Sequence, residues 1–350
     1  MASAQPAQLE VGVSVVVVSK NERSLAVTLD ALARQVVAFQ RDSALGVEVL
    51  VVDASAGRLR DIEVAHRWVR WIDFTPPEGV RVSIAHQRNV GVKAARGDVI
   101  VFTDCGCVPA EGWLGGLVAP IRAGRERLVC GETGAIGRVD PHRWGRAKRA
   151  GADHVLECPT INLGFERSVF DELGGFDERF AYGSDIDFSW RAVHRGIRIS
   201  YADDAVVLHD WGTWQRQLRR AYLSGVARAR LYDKHVVGSS VGSVHKRRLA
   251  EHDLVPLVYP VYLLGLPLSL WHPSYLLLLL VPLARARHHD PVPTLVDHLV
   301  QGVGVLVGGI GLVHGRHRGS GGALRHGVPR HGDGGGRRGA TGARERPGRG

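Results

Sequence analysis

Cysteine is scarce in this chain. Only Cys105, Cys107, Cys130 and Cys158 occur in 350 residues, and none is paired as C-x-x-C. That spacing excludes the usual zinc-ribbon and thioredoxin-like patterns. Free thiols in a reducing cytoplasm are the plain expectation. Cys105 and Cys107 flank Gly106, but a C-x-C without further ligands reads as two small buried residues. Residues 1–10 lack a basic n-region and the first apolar run is short, so no secretory leader is expected. A Gly-rich phosphate loop is also missing, which argues against a Rossmann dehydrogenase or a P-loop NTPase. Nor does the body of the chain carry a basic stripe. The net charge is +10, yet residues 314–350 hold nine Arg against Asp333 and Glu345, so the other 313 residues carry only +3. Nucleic acid is therefore not an expected partner.

What is present is a repeated β-α-β pattern. Val11 to Ser19 is a continuous Val-rich run and reads as a buried parallel strand. Asn21-Glu22-Arg23-Ser24 opens a helix with Leu25, Leu29, Leu32 and Val36 on its apolar side. A second strand, Val47 to Val52, ends at Asp53-Ala54-Ser55. A helix around Leu59 to Trp68, a short strand at Trp71 to Phe74, a helix from Ile84 to Ala95 and a strand from Val99 to Phe102 follow. This order predicts an α/β fold: a mostly parallel sheet with helices on both faces. From Gly131 to Tyr201 the pattern is mixed, with one helix at Ile186 to Arg195; Trp214 to His235 reads as a basic amphipathic helix.

Leu254 to Leu283 contains no Lys, Arg, Asp or Glu and is long enough to span a bilayer. It also carries Pro256, Pro260, Pro267, Pro273 and Pro282, which interrupt a regular helix. A kinked span, an interfacial or re-entrant segment and a buried core all stay open. Leu299 to Val313 is short and Gly-rich, a weak span at best. Residues 314–350 contain 13 Gly and nine Arg and read as a disordered tail, either solvated or attracted to anionic head groups. The expected organisation is a catalytic domain over 1–252, an apolar, membrane-associating segment over 253–313 and the tail over 314–350.

Ser19 to Glu22, Asp53 to Ser55 and Asp104 each follow a strand. Ligands of open α/β sheets bind outside the carboxyl ends of the strands. Carboxylates converging there suit a ligand rich in N–H and hydroxyl donors, such as a uracil ring and a ribose.

The segments Val13 to Glu22, Val49 to Ser55 and Arg88 to Pro109 resemble the nucleotide-sugar-binding half of family 2 glycosyltransferases of the GT-A fold. Asn162-Leu163-Gly164-Phe165-Glu166-Arg167 is similar to the family's acceptor-side strand. Gly174-Gly175-Phe176-Asp177-Glu178-Arg179-Phe180, followed by Gly183 to Arg191, resembles its catalytic segment. The resemblance covers about residues 11–235.

It implies a three-layer α/β/α domain and an inverting hexosyltransferase that uses a UDP-sugar, with UDP-glucose as the leading donor. Asp53 is then expected at the uracil imide, Ser19, Asn21 and Glu22 along base and ribose, and Asn89 and Lys93 near the nucleotide. Asp104 matches the first carboxylate of the family's D-x-D, beside ribose and metal. Asp185 matches the general base, which must be ionised and within hydrogen-bond reach of the acceptor hydroxyl. Asp187 and Asn162 fall on the acceptor side, and His209 matches a downstream His that can meet the metal or diphosphate. An Asp at a helix start also serves as a cap, and that alternative stays open for Asp185 and Asp187.

Three departures qualify the resemblance. Gly106 stands where D-x-D has its second carboxylate, which weakens the expected Mg²⁺ or Mn²⁺ requirement without removing it. Gln217-Leu218-Arg219-Arg220-Ala221 has Ala where processive members carry Trp in Q-x-x-R-W, so transfer of a single sugar is expected. Ser184 replaces the Glu that usually precedes the base. Expected acceptors are a lipid-linked or cell-surface glycan, or a small natural product such as a cyclitol pseudosugar of the validoxylamine type. The expected location is the cytoplasm, at the inner face of the membrane through residues 254–283. The competing reading is an inactive domain of the same fold that binds nucleotide sugar or scaffolds a membrane glycan-assembly complex.

Overall fold

A computed structural model of the chain describes residues 10–76, 78, 80, 83–137, 152–237, 255–279 and 291–320. Two compact units divide the chain, Met1–Ile310 and Gly311–Gly350; of the second, only residues 311–320 are described, as helix.

The first unit is built on one nine-stranded sheet. Its strands are β1 (Val11–Ser19), β2 (Gly46–Asp53), β3 (Arg70–Asp73), β4 (Val99–Asp104), β5 (Cys107–Pro109), β6 (Leu128–Ile136), β7 (His154–Val155), β8 (Asn162–Glu166) and β9 (Ile199–Asp210). Their spatial order is β3-β2-β1-β4-β8-β6-β9-β5, with β7 paired to β9. β1 to β4 run parallel, while β8 is antiparallel to both β4 and β6. The parallel half matches the sequence pattern because buried parallel strands read as unbroken apolar runs.

Helices α1 (Leu25–Asp42), α2 (Arg60–Ala65), α3 (Ile84–Ala94), α4 (Trp113–Arg122), α5 (Arg167–Leu173), α6 (Ser184–His194) and α7 (Trp214–Tyr232) cover the two faces. Successive side chains of a strand point to opposite faces. Val13, Val15 and Val17 accordingly pack with Leu25, Leu29, Leu32 and Trp113 under α1 and α4. Val16, Ile100 and Phe102 pack with Ala85, Val92, Phe176 and Phe188 under α3 and α6. The result is three layers, α/β/α. Two glycines set the close contacts of this assembly. A side chain on Gly91 would collide with Val16, and one on Gly97 would lie 2.7 Å from the backbone of Val13. α3 and the turn after it are thus pressed directly onto β1.

The register places the carboxyl ends of three strands side by side. Ser19 pairs with Asp53, and Val18 with Asp104. Thr103 faces Asn162, so β8 begins at the same edge.

After α7 the backbone widens into a π-turn, Asp233–Val237. The apolar stretch beyond it is not one span. It is helix α8 (Val255–Gly265), followed by 3₁₀ turns at Leu266–Leu270 and Pro273–Leu279. Pro267 and Pro273 stand in the first turns of the two 3₁₀ segments, whereas Pro260 is accommodated inside α8. The long helix is instead α9 (Pro291–Ser320), of which Pro291–His314 is long and apolar enough to cross a membrane. Residues 314–320, assigned to a tail from their composition, continue this helix, and the rest of that tail lies outside the described residues.

Candidate functional site

One wall of the candidate site is assembled at the ends of β1, β2 and β4. Ser19 and Asp53 are both 2% exposed. Asn21 adopts a left-handed conformation, φ 61°, which an Asn tolerates better than most residues. Its N–H donates to Ser55 Oγ at 2.7 Å, and its Oδ1 accepts from Arg58 Nε at 2.5 Å. Ser55 Oγ in turn donates to Asp53 Oδ1 at 2.5 Å. These bonds fix the two strand-end loops to each other. Gln87, which the sequence pattern did not single out, closes the wall from behind. Its Nε2 donates to the carbonyls of Ser19 at 2.8 Å and Val52 at 2.9 Å. Glu22 is exposed at the rim.

The opposite wall is the start of α6. Gly183 precedes it with φ 80°, a left-handed turn that favours glycine. Asp185 follows in the first turn. Its Oδ1 accepts the Ile186 N–H at 2.9 Å, and its Oδ2 accepts the Thr160 N–H at 3.4 Å. The cap alternative is therefore real locally, yet the carboxylate also faces Arg88, whose Nη2 lies 3.7 Å from Oδ2.

Arg88 links the two walls. It is 4% exposed, donates from Nη1 to Ser184 Oγ at 2.8 Å, and lies over the Phe176 ring at 5.6 Å. Burial pushes the Asp104 carboxyl up, the Arg88 charge pulls it down and the Asp185 charge pushes it up again. Asp104 and Asp185 thus share one electrostatic environment although they come from opposite halves of the domain. Burial, with the Asp185 charge, pushes the neighbouring Tyr182 hydroxyl up to about 12. Nothing in the sequence marks Arg88 for this position, because the partners that surround it come from distant segments.

The third side comes from β9 and α7. His209 Nε2 lies 3.2 Å from the Cys105 carbonyl, and its ring is 4.4 Å from that of Trp211. Burial lowers the His209 pKa, so the imidazole is neutral at neutral pH. Arg220 donates to the Trp211 carbonyl at 2.9 Å and stacks on its ring at 5.3 Å.

Three residues expected at the ligand bond to other protein groups, and a fourth, Lys93, lies away from it. Asn89 donates to the Phe176 carbonyl and to Glu178 Oε1, both at 2.9 Å, and accepts the Phe176 N–H at 2.8 Å. Its amide braces α3 against the Gly-rich loop. Asn162 donates to the carbonyls of Glu132 and Ala205 and accepts from Trp113 Nε1 at 2.8 Å. It ties four elements together in the interior. Asp187 is fully buried and is held by Arg191 Nε at 2.8 Å, Lys234 Nζ at 2.5 Å and His235 Nε2 at 2.8 Å.

Lys93 is exposed on the last turn of α3. That helix starts beside the carboxyl ends of β1 and β2, where Gln87 reaches Ser19 and Val52. It ends where the Ala94 carbonyl accepts from Arg70, the first residue of β3. Lys93 therefore lies at the opposite edge of the sheet from Asp53 and Asp104. Lys93→Ala should leave UDP affinity within about twofold, as exposed substitutions away from a site do. A tenfold loss by calorimetry would return Lys93 to the site.

Gly106 has φ 86°, and a Cβ there would lie 3.4 Å from Ser24 Oγ and 3.6 Å from His209 Nε2. Among the described residues no three His, Cys, Asp or Glu side chains form a metal-binding group. One carboxylate and one neutral imidazole make a thin donor set for a resident ion. It suits a divalent ion that arrives with phosphates, since Mg²⁺ is commonly held by one or two carboxylates plus substrate oxygens. The cysteines add nothing to it: all four are free, and burial pushes the Cys107 thiol up to about 12.

Residues 14–182 match the family described as "Glycosyl transferase family 2". The "Pre-mycofactocin glycosyltransferase" of Mycobacterium tuberculosis is 30% identical over 207 residues, covering 52% of this chain and 42% of that protein. "Glycosyltransferase AglE" of Haloferax volcanii is 24% identical over 146 residues, covering 39% of this chain and 48% of that protein. The chain thus spans less than half the length of these curated relatives. Among solved structures, the mannosyltransferase PcManGT from Pyrobaculum calidifontis, in complex with GDP-Man and Mn²⁺, superposes with a TM-score of 0.61. That match is 21% identical and covers 85% of this chain and 86% of the other, which shows a shared fold. Residues 14–182, just under half of the chain, thus match glycosyl transferase family 2, and the domain has a GT-A-like fold.

Proposed function

We propose that the protein is an inverting glycosyltransferase that moves a single hexose from a nucleoside-diphosphate sugar to an acceptor hydroxyl. The observation that carries this reading is the pairing of Asp104, at the donor edge, with Asp185, at the opposite wall, across the buried Arg88. The two carboxylates come from opposite walls, so one can serve the donor and the other the acceptor.

Asp53, fixed by Ser55, would accept the imide N–H of a uracil, and Asn21 and Glu22 would line the base and ribose. UDP-glucose is the donor that fits this reading. Asp104 and His209 would meet a divalent ion together with the diphosphate; when bound, that ion neutralises the charge of the leaving group. Asp185 takes the proton of the acceptor hydroxyl as its oxygen forms a bond to the anomeric carbon. The bond from that carbon to the diphosphate oxygen breaks, and its electron pair leaves with the nucleotide. Attack from the opposite face inverts the centre. Ala221 is 4% exposed and small, so α7 offers no aromatic platform at that position for a growing chain, in keeping with transfer of one sugar. The acceptor is a hydroxyl of a lipid-linked or cell-surface glycan, or of a small cyclitol.

The test is release of UDP from UDP-glucose with a panel of such acceptors, with GDP-mannose as the alternative donor. Acceptor-dependent release that falls with EDTA is expected. Nucleotide binding without release from any pair would make the protein a binding domain. Undiminished release in EDTA would remove the metal. Asp53→Ala should weaken UDP affinity by about 1.5–3 kcal/mol, or roughly 10- to 150-fold, as loss of a charged hydrogen-bond partner does. Unchanged affinity by titration calorimetry would take Asp53 out of the site.

A further inference from the structure

α9 has the length and composition of a membrane span, but its packing forbids one. The helix lies alongside α7 with both chains running in the same direction. Gln217 Nε2 donates to Asp297 Oδ1 at 2.8 Å, and Gln301 Nε2 to Ser224 Oγ at 3.3 Å. A side chain on Gly225 would collide with the Gln301 carbonyl, and one on Gly308 would lie 2.9 Å from Ala229 Cβ. The glycines that made this segment look like a poor span are its docking face. The contact runs from residue 297 to 308, about 16 Å of helix at 1.5 Å per residue. That is half of the roughly 30 Å that a span must cross.

α7 cannot follow it into hydrocarbon. Over the same length it bears Arg216, Arg219 and Arg228, and it packs inward on the domain, where Arg228 pairs with Glu157. Arginine at the centre of a bilayer is costly. A helix bound to such a partner along its middle stays outside the hydrocarbon core.

The free side of α9 is apolar. Val292, Val296, Val303, Val307 and Ile310 are 39–62% exposed and fall within one narrow arc at 100° per residue. α8 lies beside it, with Tyr259 against Gly302. The turns after α8 add Leu270 and Trp271, 80% and 72% exposed. No Lys, Arg, Asp or Glu occurs from 255 to 279. Arg216 and Arg219 are exposed on the first turns of α7, the helix against which α9 packs. An apolar strip on a helix packed against a basic one matches an acyl–headgroup boundary rather than a neutral protein groove.

We propose that α9 and the turns after α8 lie flat on an anionic bilayer, with their apolar side in the headgroup–acyl boundary, and that α9 does not cross the membrane. This inference stands apart from the sugar-transfer reading and is tested without it. The full chain is floated with phosphatidylcholine vesicles containing or lacking phosphatidylglycerol. Recovery with the anionic vesicles, falling at least about tenfold without them, is expected. Val303→Glu with Val307→Glu should cut that recovery at least about tenfold while circular dichroism and the melting temperature stay unchanged. For depth, spin labels are placed at Val292→Cys, Val303→Cys and Ile310→Cys. A surface helix gives one shared shallow depth, about 5–10 Å. A depth that changes steadily from 292 to 310 would establish a span and overturn the proposal. Absence of vesicle binding, with or without self-association by light scattering, would overturn it as well.

Discussion

Asp185→Asn should reduce transfer by about 10²- to 10⁴-fold, the usual contribution of a general base, and leave UDP affinity within about twofold. The substitution is nearly isosteric. An amide oxygen at Oδ1 still accepts the Ile186 N–H, so the first turn of α6 keeps its shape. What disappears is the ability to take a proton from the acceptor. The loss should fall on kcat, because the interaction belongs to the transition state rather than to ground-state binding. One side effect needs a control. Arg88 is buried and faces this carboxylate at 3.7 Å, so the variant removes part of its compensation. Asp104 still faces that guanidinium. A modest fall in melting temperature with intact UDP binding would therefore accompany the loss of turnover. Unchanged turnover would eliminate Asp185 as the base and leave the first-turn cap as its role.

The parallel half of the domain was legible because a buried strand announces itself. Val11–Ser19 emerges with the bounds expected from its valines, and Asp53 and Asp104 end their strands at one edge as the β-α-β order requires. The side chains were less legible. Asn89, Asn162 and Asp187 have the right chemistry and the right neighbourhood, but sequence does not reveal which partners already fill their hydrogen-bonding capacity. Buried polar groups must find partners, and each of these found them inside the protein. Lys93 fails for a different reason. A helix that returns between two parallel strands brings its start to the ligand edge and its end to the far one, and Lys93 is at the end. Arg88 illustrates the converse: an arginine reads as a surface residue until a fold surrounds it with Phe176, Ser184 and Asp185. In the C-terminal region, prolines and glycines were both counted as defects of a span. Pro267 and Pro273 mark the 3₁₀ turns that follow α8, Pro260 sits within it, and the glycines of α9 permit its contact with α7.

Asp187→Asn should cost the fold about 3–5 kcal/mol, the range for removing one partner of a buried ion network. At roughly 2–4 °C per kcal/mol for a domain of this size, the melting temperature should drop by about 10 °C. Burial pushes the Asp187 carboxyl up, but His235, Arg191 and Lys234 together hold it below its ordinary value. A depressed folded-state pKa means that the carboxylate contributes stability above its unfolded pKa and loses it as pH falls through the folded value. The acid limb of stability, below about pH 4, should therefore be flatter in the variant than in the parent. The cations left behind keep other partners. Arg191 retains the carbonyls of Leu173 and Gly175, and Lys234 retains Asp177 at 2.8 Å. Lys234 and His235 both come from the π-turn that follows α7, and Asp187 is two residues from Asp185 on α6. The network thus ties the end of α7 to the turn that carries the proposed base, a use of local backbone widening that recurs near functional sites. Two roles for Asp187 separate cleanly on measurement. A residue that binds the acceptor would raise KM and leave the melting temperature in place. A residue that holds the turn lowers the melting temperature and spares UDP affinity in the cold. The three side chains that hold a fully buried carboxylate favour the second outcome, and a variant as stable as the parent would show that the turn is held without them.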